Sequence, residues 1–300
     1  MSPAPEAQHL VDASLYVFRA WHGTPADVAD GEGWPVNAVH GFARFLCDLL
    51  ARSRARHLAL AFDEAQDRCF RNEVYPAYKA NREPAPEELK RQFAHCKALG
   101  EALGLPVLAH GHYEADDLIG TAAEQARRGG RSVVIVSADK DMAQLLDEGD
   151  WQWDFARNER WDCAGVKPRF GIHAHQVADY LGLTGDAIDN IPGVPGIGPK
   201  TAATLLGLYG SLDALLERLD EVPLLKLRGA AGHAARLREH REAALLSRRL
   251  ATIARDAPLP EGFDGARRDP DREALDRLCE HLRIGPMTRR RLIECATLPA

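Results

Sequence analysis

No stretch of this 300-residue sequence is long, apolar and uncharged, which excludes a transmembrane helix and contact with a membrane through one. The six cysteines have no C-x-x-C spacing, which argues against a cysteine zinc site or a disulfide framework and favours a reducing, cytoplasmic compartment. Basic residues are not in excess either, because the formal net charge is −6. An overall basic surface of the kind that many nucleic-acid binders present is therefore absent.

Acidic residues follow three apolar runs. The runs HLVD, HLALAFD and SVVIVS are predicted to be buried strands. The acids at or just after their ends are Asp12, Asp63, Asp139 and Asp141. Because the carboxyl ends of parallel strands meet at one edge of an α/β sheet, we expect these carboxylates to converge there. A single acid after a strand is more often a helix cap, so the interpretation depends on the repetition.

The densest acidic cluster lies in YEADDLI, at the start of a helix with an apolar stripe. Glu114 and Asp117 are one helical turn apart, and Asp116 lies between them. Acids in a first helical turn are favoured by the helix dipole, which is the alternative explanation. Three adjacent carboxylates would repel one another unless cations lie among them, so metal ligation is the better account.

Residues 184–206 (TGDAIDNIPGVPGIGPKTAATLL) begin with a further pair of acids. Asp186 and Asp189 are three residues apart, so on a helical turn both carboxylates would face the same way. Such a pair is commonly no more than a solvated turn. Here it directly precedes a glycine-rich turn, and this adjacency favours a functional role.

The glycine-rich turn opens a predicted helix. Proline at position 199 suits a first helical position, and Gly196 and Gly198 leave the backbone open to close approach. Amides at a helix N-terminus attract phosphate, and Lys200 and Thr201 lie beside them. A tight connection between helices is the alternative. An acid pair next to a phosphate-binding turn indicates an enzyme acting on a nucleic-acid backbone.

Basic and aromatic residues alternate in the segment at about residues 68–91. On charge alone this is a solvated connector, with six basic and four acidic residues. The interleaved tyrosines favour contact with bases and phosphates instead. The candidate residues are Arg71, Tyr78, Lys79 and Arg82.

The acid motifs VDAS, AFD, YEADDLIG, SADKDMAQLL and GDAIDNIPGVPGIGPKTA occur in the order of the 5′-nuclease (flap endonuclease) family, which the chain resembles over residues 9–255. Ala138 departs from the glycine usual in the polymerase I relatives of that family. The resemblance implies an α/β fold with a PIN-like nuclease core, a parallel-rich central sheet, a helical arch and a C-terminal helix–hairpin–helix DNA-binding subdomain. The expected divisions are 1–165 for the core, 166–255 for the subdomain and 256–300 for a linker and helical tail.

The predicted metal ligands are all oxygen donors, which suit Mg²⁺ or Mn²⁺ better than zinc. They are Asp12, Asp63, Glu114, Asp116, Asp117, Asp139, Asp141, Asp186 and Asp189. Nine ligands are too many for one ion, and their two groups suggest a two-metal site. Without these nine charges the remaining chain has a net charge of +3, so the overall charge does not exclude nucleic acid.

The resemblance implies hydrolysis of DNA phosphodiester bonds near the 5′ end, as a 5′→3′ exonuclease and flap endonuclease in replication or repair. It implies that Tyr78, Lys79 and Arg82 contact the reacting phosphate, with Lys79 and Arg82 in the catalytic role, and that the turn at residues 196–198 binds duplex phosphates, in the family often with a K⁺ ion. Arg71, Lys200 and Thr201 are the further expected DNA contacts. The expected partner is DNA with a 5′ end, flap or nick, bound by a monomer. A PIN-type ribonuclease and a non-catalytic binder of branched DNA are the alternatives.

Overall fold

The computed structural model describes residues 6–65 and 69–297. Its strands are β1 (Gln8–Asp12), β2 (His57–Asp63), β3 (Val107–His110), β4 (Val133–Val136), β5 (Trp151–Asp154) and β6 (Glu159–Trp161). They form one sheet in the order β3-β2-β1-β4-β5-β6. The described pairings are parallel except for β5 with β6, which form an antiparallel hairpin at the edge. The predicted α/β fold with a parallel-rich sheet is confirmed.

Helices cover both faces of this sheet and form the C-terminal part of the chain. They are α1 (Ala13–Gly23), α2 (Asn37–Ser53), α3 (Phe70–Val74), α4 (Glu87–Ala102), α5 (Ala115–Arg128), α6 (Cys163–Phe170), α7 (Val177–Thr184), α8 (Pro199–Tyr209), α9 (Leu212–Glu217), α10 (Ala230–Glu239), α11 (Arg241–Ala251), α12 (Arg272–His281) and α13 (Pro286–Ala296). Short 3-10 helices lie at Lys140–Leu145, Ala174–Gln176 and Val222–Leu224. No helix among the described residues is both long and apolar enough to cross a membrane.

The sheet separates two apolar cores. Leu10 and Ala59 pair in the parallel register and lie in the core that α5 covers. Their neighbours Val11 and Leu60, also paired, lie in the core that α1, α2 and α4 cover. Successive side chains of a strand point to opposite faces, so strands buried on both faces read as continuous apolar runs.

The segment predicted to be a helical arch contains little helix. Arg68 lies outside the described residues, and after the five-residue α3 the chain continues in turns and extended backbone as far as α4. Prolines 76, 84 and 86 contribute to this, because proline lacks the N–H that an internal helical position donates. The segment thus consists of α3, a run of turns and the first residues of α4, and its arrangement as an arch stays a prediction.

The C-terminal segment packs against the core around the sheet. The predicted linker runs along the core, where Arg267 N–H donates to the carbonyl of Arg56 (3.0 Å) and Arg268 N–H to that of Gly104 (2.8 Å). Apolar residues of α12 and α13, among them Leu275, share the core formed by α2 and α4. Residues 298–300 lie outside the described residues. The expected linker and helical tail thus pack against the first half of the chain. The domain boundaries stay a prediction.

Candidate metal centre and nucleic-acid interface

Two acids at strand ends are oriented by hydrogen bonds. Asp12, which ends β1, accepts from Leu15 N–H (3.2 Å) and from the Ser137 hydroxyl (2.9 Å). Asp63, which ends β2, accepts from Ala115 N–H (2.8 Å). The adjacent strands β1 and β2 bring these two acids to the edge where α/β sheets bind ligands, and β4 leads to Asp139 and Asp141 at the same edge. We call it the acidic edge. Asp12 therefore caps α1 and also faces the acidic edge, so the helix-cap explanation and the site explanation are both correct for it.

The acids at the start of α5 form a compact cluster. One carboxylate oxygen from each of Glu114, Asp116 and Asp117 lies within 4.8 Å of the others. Glu114 is the N-cap of α5, and the Asp117 carboxylate accepts from its N–H (3.0 Å) in a capping box. A capping box fixes the first helical turn and with it the direction of all three side chains.

Asp117, one of the predicted metal ligands, forms a buried ion pair with Arg71. Its two oxygens accept from the Arg71 guanidinium at 2.7 Å each, and they also accept from the N–H groups of Glu114 (3.0 Å) and Ala254 (2.8 Å). The side chain is fully buried. These four hydrogen bonds hold Asp117 in a buried ion pair in this structure, and its role as a metal ligand stays a prediction.

Arg71, predicted as a DNA contact, is only 1% exposed in this structure. Beyond Asp117, its guanidinium donates to Glu114 Oε2 (3.0 Å) and to the carbonyls of Leu250 (2.7 Å) and Thr252 (3.0 Å). These bonds hold the end of α11 against the acidic cluster. The planar fork of arginine suits this bidentate pairing with a carboxylate.

Tyr78 is also buried, with 3% exposure, and cannot stack on a nucleobase in this arrangement. Its hydroxyl donates to Glu114 Oε2 (2.9 Å) and lies 3.4 Å from Asp189 Oδ2. In this structure Tyr78 therefore bridges two acids from distant parts of the chain, and its contact with DNA stays a prediction.

A second group of acids begins after β4. Asp139 Oδ1 accepts from Asp141 N–H (2.9 Å), and Gln152 donates to the carbonyl of Asp139 (2.5 Å). At the start of this loop, the Ser137 hydroxyl accepts a hydrogen bond from Asp139 N–H (3.1 Å). Asp141 Oδ1 is buried without a hydrogen-bond partner. The loop is thus held by hydrogen bonds while one carboxylate oxygen remains unsatisfied.

Asp186 and Asp189 lie on a tight turn rather than on the predicted helical turn. Asp186 and Ile191 exchange two backbone hydrogen bonds (2.9 and 2.8 Å), and Asp186 Oδ1 accepts from Ile188 N–H (2.7 Å). This Asx-type hydrogen bond bends the chain, and both acids lie close enough to Asp139 for their charges to act on it. We count them with Asp139 and Asp141 in the second group. Lys140 Nζ lies 3.5 Å from Asp186 Oδ2.

Lys79 and Arg82 lie between the two groups. The Lys79 ammonium forms an ion pair with Glu114 and is 3.8 Å from Asp189 Oδ2, and Arg82 forms an ion pair with Asp189. Lys79 N–H also donates to the Asp189 carbonyl (3.0 Å), and its φ of +55° is in the left-handed region. A non-glycine residue in this region has to be held there by its surroundings.

Burial and the charges of neighbouring carboxylates raise the pKa values of several of these acids. Burial, then the charge of Asp63, raises the pKa of Asp12 to about 7. Burial, then Asp139, raises the pKa of Asp141 to about 7, and burial with Asp117 raises the pKa of Asp116 well above its ordinary value. Such shifts identify a group of carboxylates that is short of positive charge.

Neighbouring cations lower the pKa of one acid, Glu114. Burial alone would raise the pKa of Glu114, but Lys79 and Arg71 outweigh it and lower the pKa. Burial also raises the pKa of Asp63, together with the charge of Glu114, and burial raises that of Asp139. The acidic edge is therefore only partly neutralised by the side chains of the protein.

The predicted phosphate-binding turn precedes α8. Gly196 has a φ of +77°, whereas Gly198 caps the helix with an extended backbone (φ −89°). Pro199 is the first helical residue, as predicted. Lys200 is exposed and Thr201 is half-buried. The side chain of Arg236 on α10 runs beside Gly196, about 3 Å from where a Cβ would lie, and adds a basic group to the turn.

Two residues of the acidic edge are missing from the sequence-based prediction. Ser137 joins Asp12 to Asp139, and Lys140 approaches Asp186. Their only signal is their position in SADKD, where a hydroxyl and an amine stand directly beside predicted ligands.

Sequence comparisons cover nearly the whole chain. Residues 7–171 match the family described as 5′-3′ exonuclease, N-terminal resolvase-like domain, and residues 172–274 match 5′-3′ exonuclease, C-terminal SAM fold. DNA polymerase I of Pseudomonas aeruginosa is 43% identical over 284 residues, which are 94% of this chain and 31% of that protein. DNA polymerase I of Bacillus caldotenax is 38% identical over 279 residues, again 31% of its length. The chain thus spans about a third of these relatives.

Solved structures share the fold. The T5 5′-exonuclease with bound zinc superposes with a TM-score of 0.67 at 20% identity, covering 97% of this chain and 98% of that one. The catalytic core of Rad2 in complex with DNA substrate gives a TM-score of 0.64 at 14% identity, covering 97% of this chain and 93% of that one. At these identities the likeness shows a common fold.

Proposed function

Because this chain belongs to the 5′-3′ exonuclease family, we propose that it hydrolyses DNA phosphodiester bonds near a 5′ end, as a 5′→3′ exonuclease and flap endonuclease. The observation that carries the proposal is the gathering of carboxylates from five separate parts of the chain, at Asp12, Asp63, 114–117, 139–141 and 186–189, at the carboxyl edge of the sheet. Lys79 and Arg82 lie among them. An acid-lined edge with two basic groups fits a phosphodiester better than it fits a neutral substrate.

The donor set fits divalent cations. The donors are all oxygens, one of them, Asp141 Oδ1, is buried without a partner, and several of the acids have raised pKa values. Two Mg²⁺ or Mn²⁺ ions would be held by a first group (Asp12, Asp63, Glu114 and Asp116) and a second group (Asp139, Asp141, Asp186 and Asp189). When bound, such ions polarise a phosphate and lower the pKa of water.

The protein's own residues have distinct tasks in this proposal. The Lys79 ammonium lies between the two acid groups and would face the phosphate on which negative charge develops, with Arg82 beside it. The Tyr78 hydroxyl and the Arg71 guanidinium both donate to Glu114 Oε2, so they set the direction of this carboxylate. Arg71 and Tyr78 are thus positioning residues.

The turn before α8 would bind the duplex away from the scissile bond. Gly198 is exposed and a Cβ there would meet no atom, so a phosphate can approach the N–H groups of the first helical turn. Lys200 and Thr201 would add a charge and a hydroxyl, and Arg236 a second charge. A K⁺ ion at this turn and a monomeric protein are further parts of the proposal.

The test is cleavage of 5′-labelled flap, nicked duplex and single-stranded DNA, with matched RNA substrates, in Mg²⁺ and then in EDTA. We expect Mg²⁺-dependent cleavage of DNA near the 5′ end. The paired variant Asp139→Asn with Asp141→Asn should lose cleavage and keep DNA binding, because asparagine retains an oxygen but not the charge that holds a divalent ion.

The matched control replaces two exposed acids outside the site, Asp256→Asn with Glu261→Gln. It should cleave like the unaltered protein. Preferential cleavage of RNA would favour a PIN-type ribonuclease, and binding without turnover would indicate a non-catalytic binder of branched DNA. Either result would overturn the proposed activity.

A further inference from the structure

A second cluster of possible metal ligands lies away from the acidic edge. It consists of Asp30 in the connection between α1 and α2, His95 on α4 and His281, the last residue of α12. One ligand atom from each residue lies within 4.8 Å of the others. None of these residues follows the carboxyl end of a strand, and α4 and α12 belong to the core on the face of the sheet opposite α5. The cluster is therefore separate from the proposed nuclease site.

Asp30 is fixed in place with one oxygen left over. Its Oδ1 accepts from the N–H groups of Glu32 (2.8 Å) and Trp34 (2.9 Å), which holds the carboxylate in one orientation. The residue is 2% exposed, and its Oδ2 is buried without a hydrogen-bond partner. An unsatisfied buried carboxylate oxygen is costly, so a cation is the expected partner.

The two histidines complete a ligand set around this oxygen. His281 Nε2 lies 3.9 Å from Asp30 Oδ2, too far for a hydrogen bond. The rings of His95 and His281 are 5.5 Å apart at an interplanar angle of 59°, so they are not stacked face to face. The His281 side chain is 39% exposed and has room to rotate.

The basic side chain of Arg91, which lies near Asp30 and His95, already has partners. Arg91 donates to Glu32 Oε2 (2.8 Å), and its guanidinium lies over the Trp34 ring, 4.7 Å from the centroid. Its charge is thus shared with a carboxylate and an aromatic face, which reduces its repulsion of a cation bound nearby.

We propose that Asp30, His95 and His281 bind Zn²⁺ and thereby fasten helix α12 to α4 and to the connection between α1 and α2. Imidazole nitrogens with a carboxylate oxygen form a donor set that zinc prefers, with bonds of about 2.0–2.1 Å and ligand atoms roughly 3.4 Å apart. Small rotations of the side chains bring the present separations to that value. The fourth position faces solvent and would hold water.

The acidic edge could also take up zinc, so the experiment has to separate the two sites. The full chain is titrated with Co²⁺ in a large excess of Mg²⁺, which occupies oxygen-only sites but competes poorly for imidazole. We expect one equivalent of Co²⁺ to bind with the intense visible absorption of a four-coordinate site containing nitrogen. Zn²⁺ should displace it and raise the melting temperature, because an ion that binds only the folded state stabilises it.

His281→Ala and Asp30→Asn should each lose the absorption and the zinc-induced rise in melting temperature. Asp30→Asn keeps an oxygen for the two backbone N–H groups, so its fold is expected to survive. The matched control is His175→Ala, which removes an exposed histidine of another pair, with His173, whose rings are also 5.5 Å apart. It should behave like the unaltered protein. Absence of the Co²⁺ signal in the unaltered protein, or an undiminished signal in both site variants, would overturn the proposal.

Discussion

Replacing Arg71 with leucine should destabilise the protein severely even though this residue reads in the sequence as a surface base. The guanidinium is 1% exposed and donates to two carboxylates and two carbonyls at 2.7–3.0 Å. Leucine leaves the fully buried Asp117 carboxylate facing an apolar group. Removing one partner of a buried ion pair costs about 3–5 kcal/mol. Total stability is only about 5–15 kcal/mol, so much of it would be lost.

The assay is chemical denaturation of the single variants Arg71→Leu and Asp117→Asn and of the double variant. In the double variant no unpaired charge is buried, so adding Asp117→Asn to Arg71→Leu should recover part of the loss. We expect an interaction energy of about 2 kcal/mol or more, near the upper end for residues in one network. Arg71→Lys keeps the charge without the planar fork and should be intermediate.

Arg290→Leu is the control, because Arg290 forms an exposed ion pair with Glu294 (2.7 Å) within α13 and should be replaceable without effect on unfolding. The reasoning would be refuted if Arg71→Leu unfolded at the same denaturant concentration as the unaltered protein. It would also be refuted if the two single costs added within about 0.5 kcal/mol, the tolerance for independent sites.

Lys79→Ala should slow single-turnover cleavage roughly 100-fold with little change in DNA affinity, because a cation at the reacting phosphate acts mainly in the transition state. An unchanged rate would remove Lys79 from the mechanism. Gly198→Val should weaken binding to nicked duplex, because its side chain would block the approach of a phosphate to the turn. The melting temperature should not fall, because the φ of −89° suits any residue and a Cβ would meet no atom within 4 Å. Unchanged affinity would make the turn only a connector. Burial and Asp63 raise the Asp12 pKa from 3.8 to about 7, so in metal-free protein the stability linked to this carboxyl is fully present below about pH 4 and is lost as pH rises through about 7. The stability gained by Asp12→Asn should therefore grow over that window in urea titrations, and a constant difference would contradict the assignment.

The family, the parallel sheet and the position of most of the acids follow from the sequence alone. Apolar runs that end in acids predict strands whose carboxyl ends meet, and β1, β2 and β4 confirm this for Asp12, Asp63 and Asp139. The resemblance to the 5′-nuclease family is confirmed by the match of residues 7–171. These features are local in the chain, because strand periodicity and motif order do not depend on distant residues.

Only the tertiary structure decided which charged groups are available and which are already paired. Arg71 and Asp117 look alike in sequence to Arg82 and Asp116, yet the first two are buried against each other. The difference arises because α3 and the end of α11 close over the start of α5, which buries Arg71 and Asp117. Burial and pairing depend on contacts across more than 40 positions of the chain, and no local pattern encodes them.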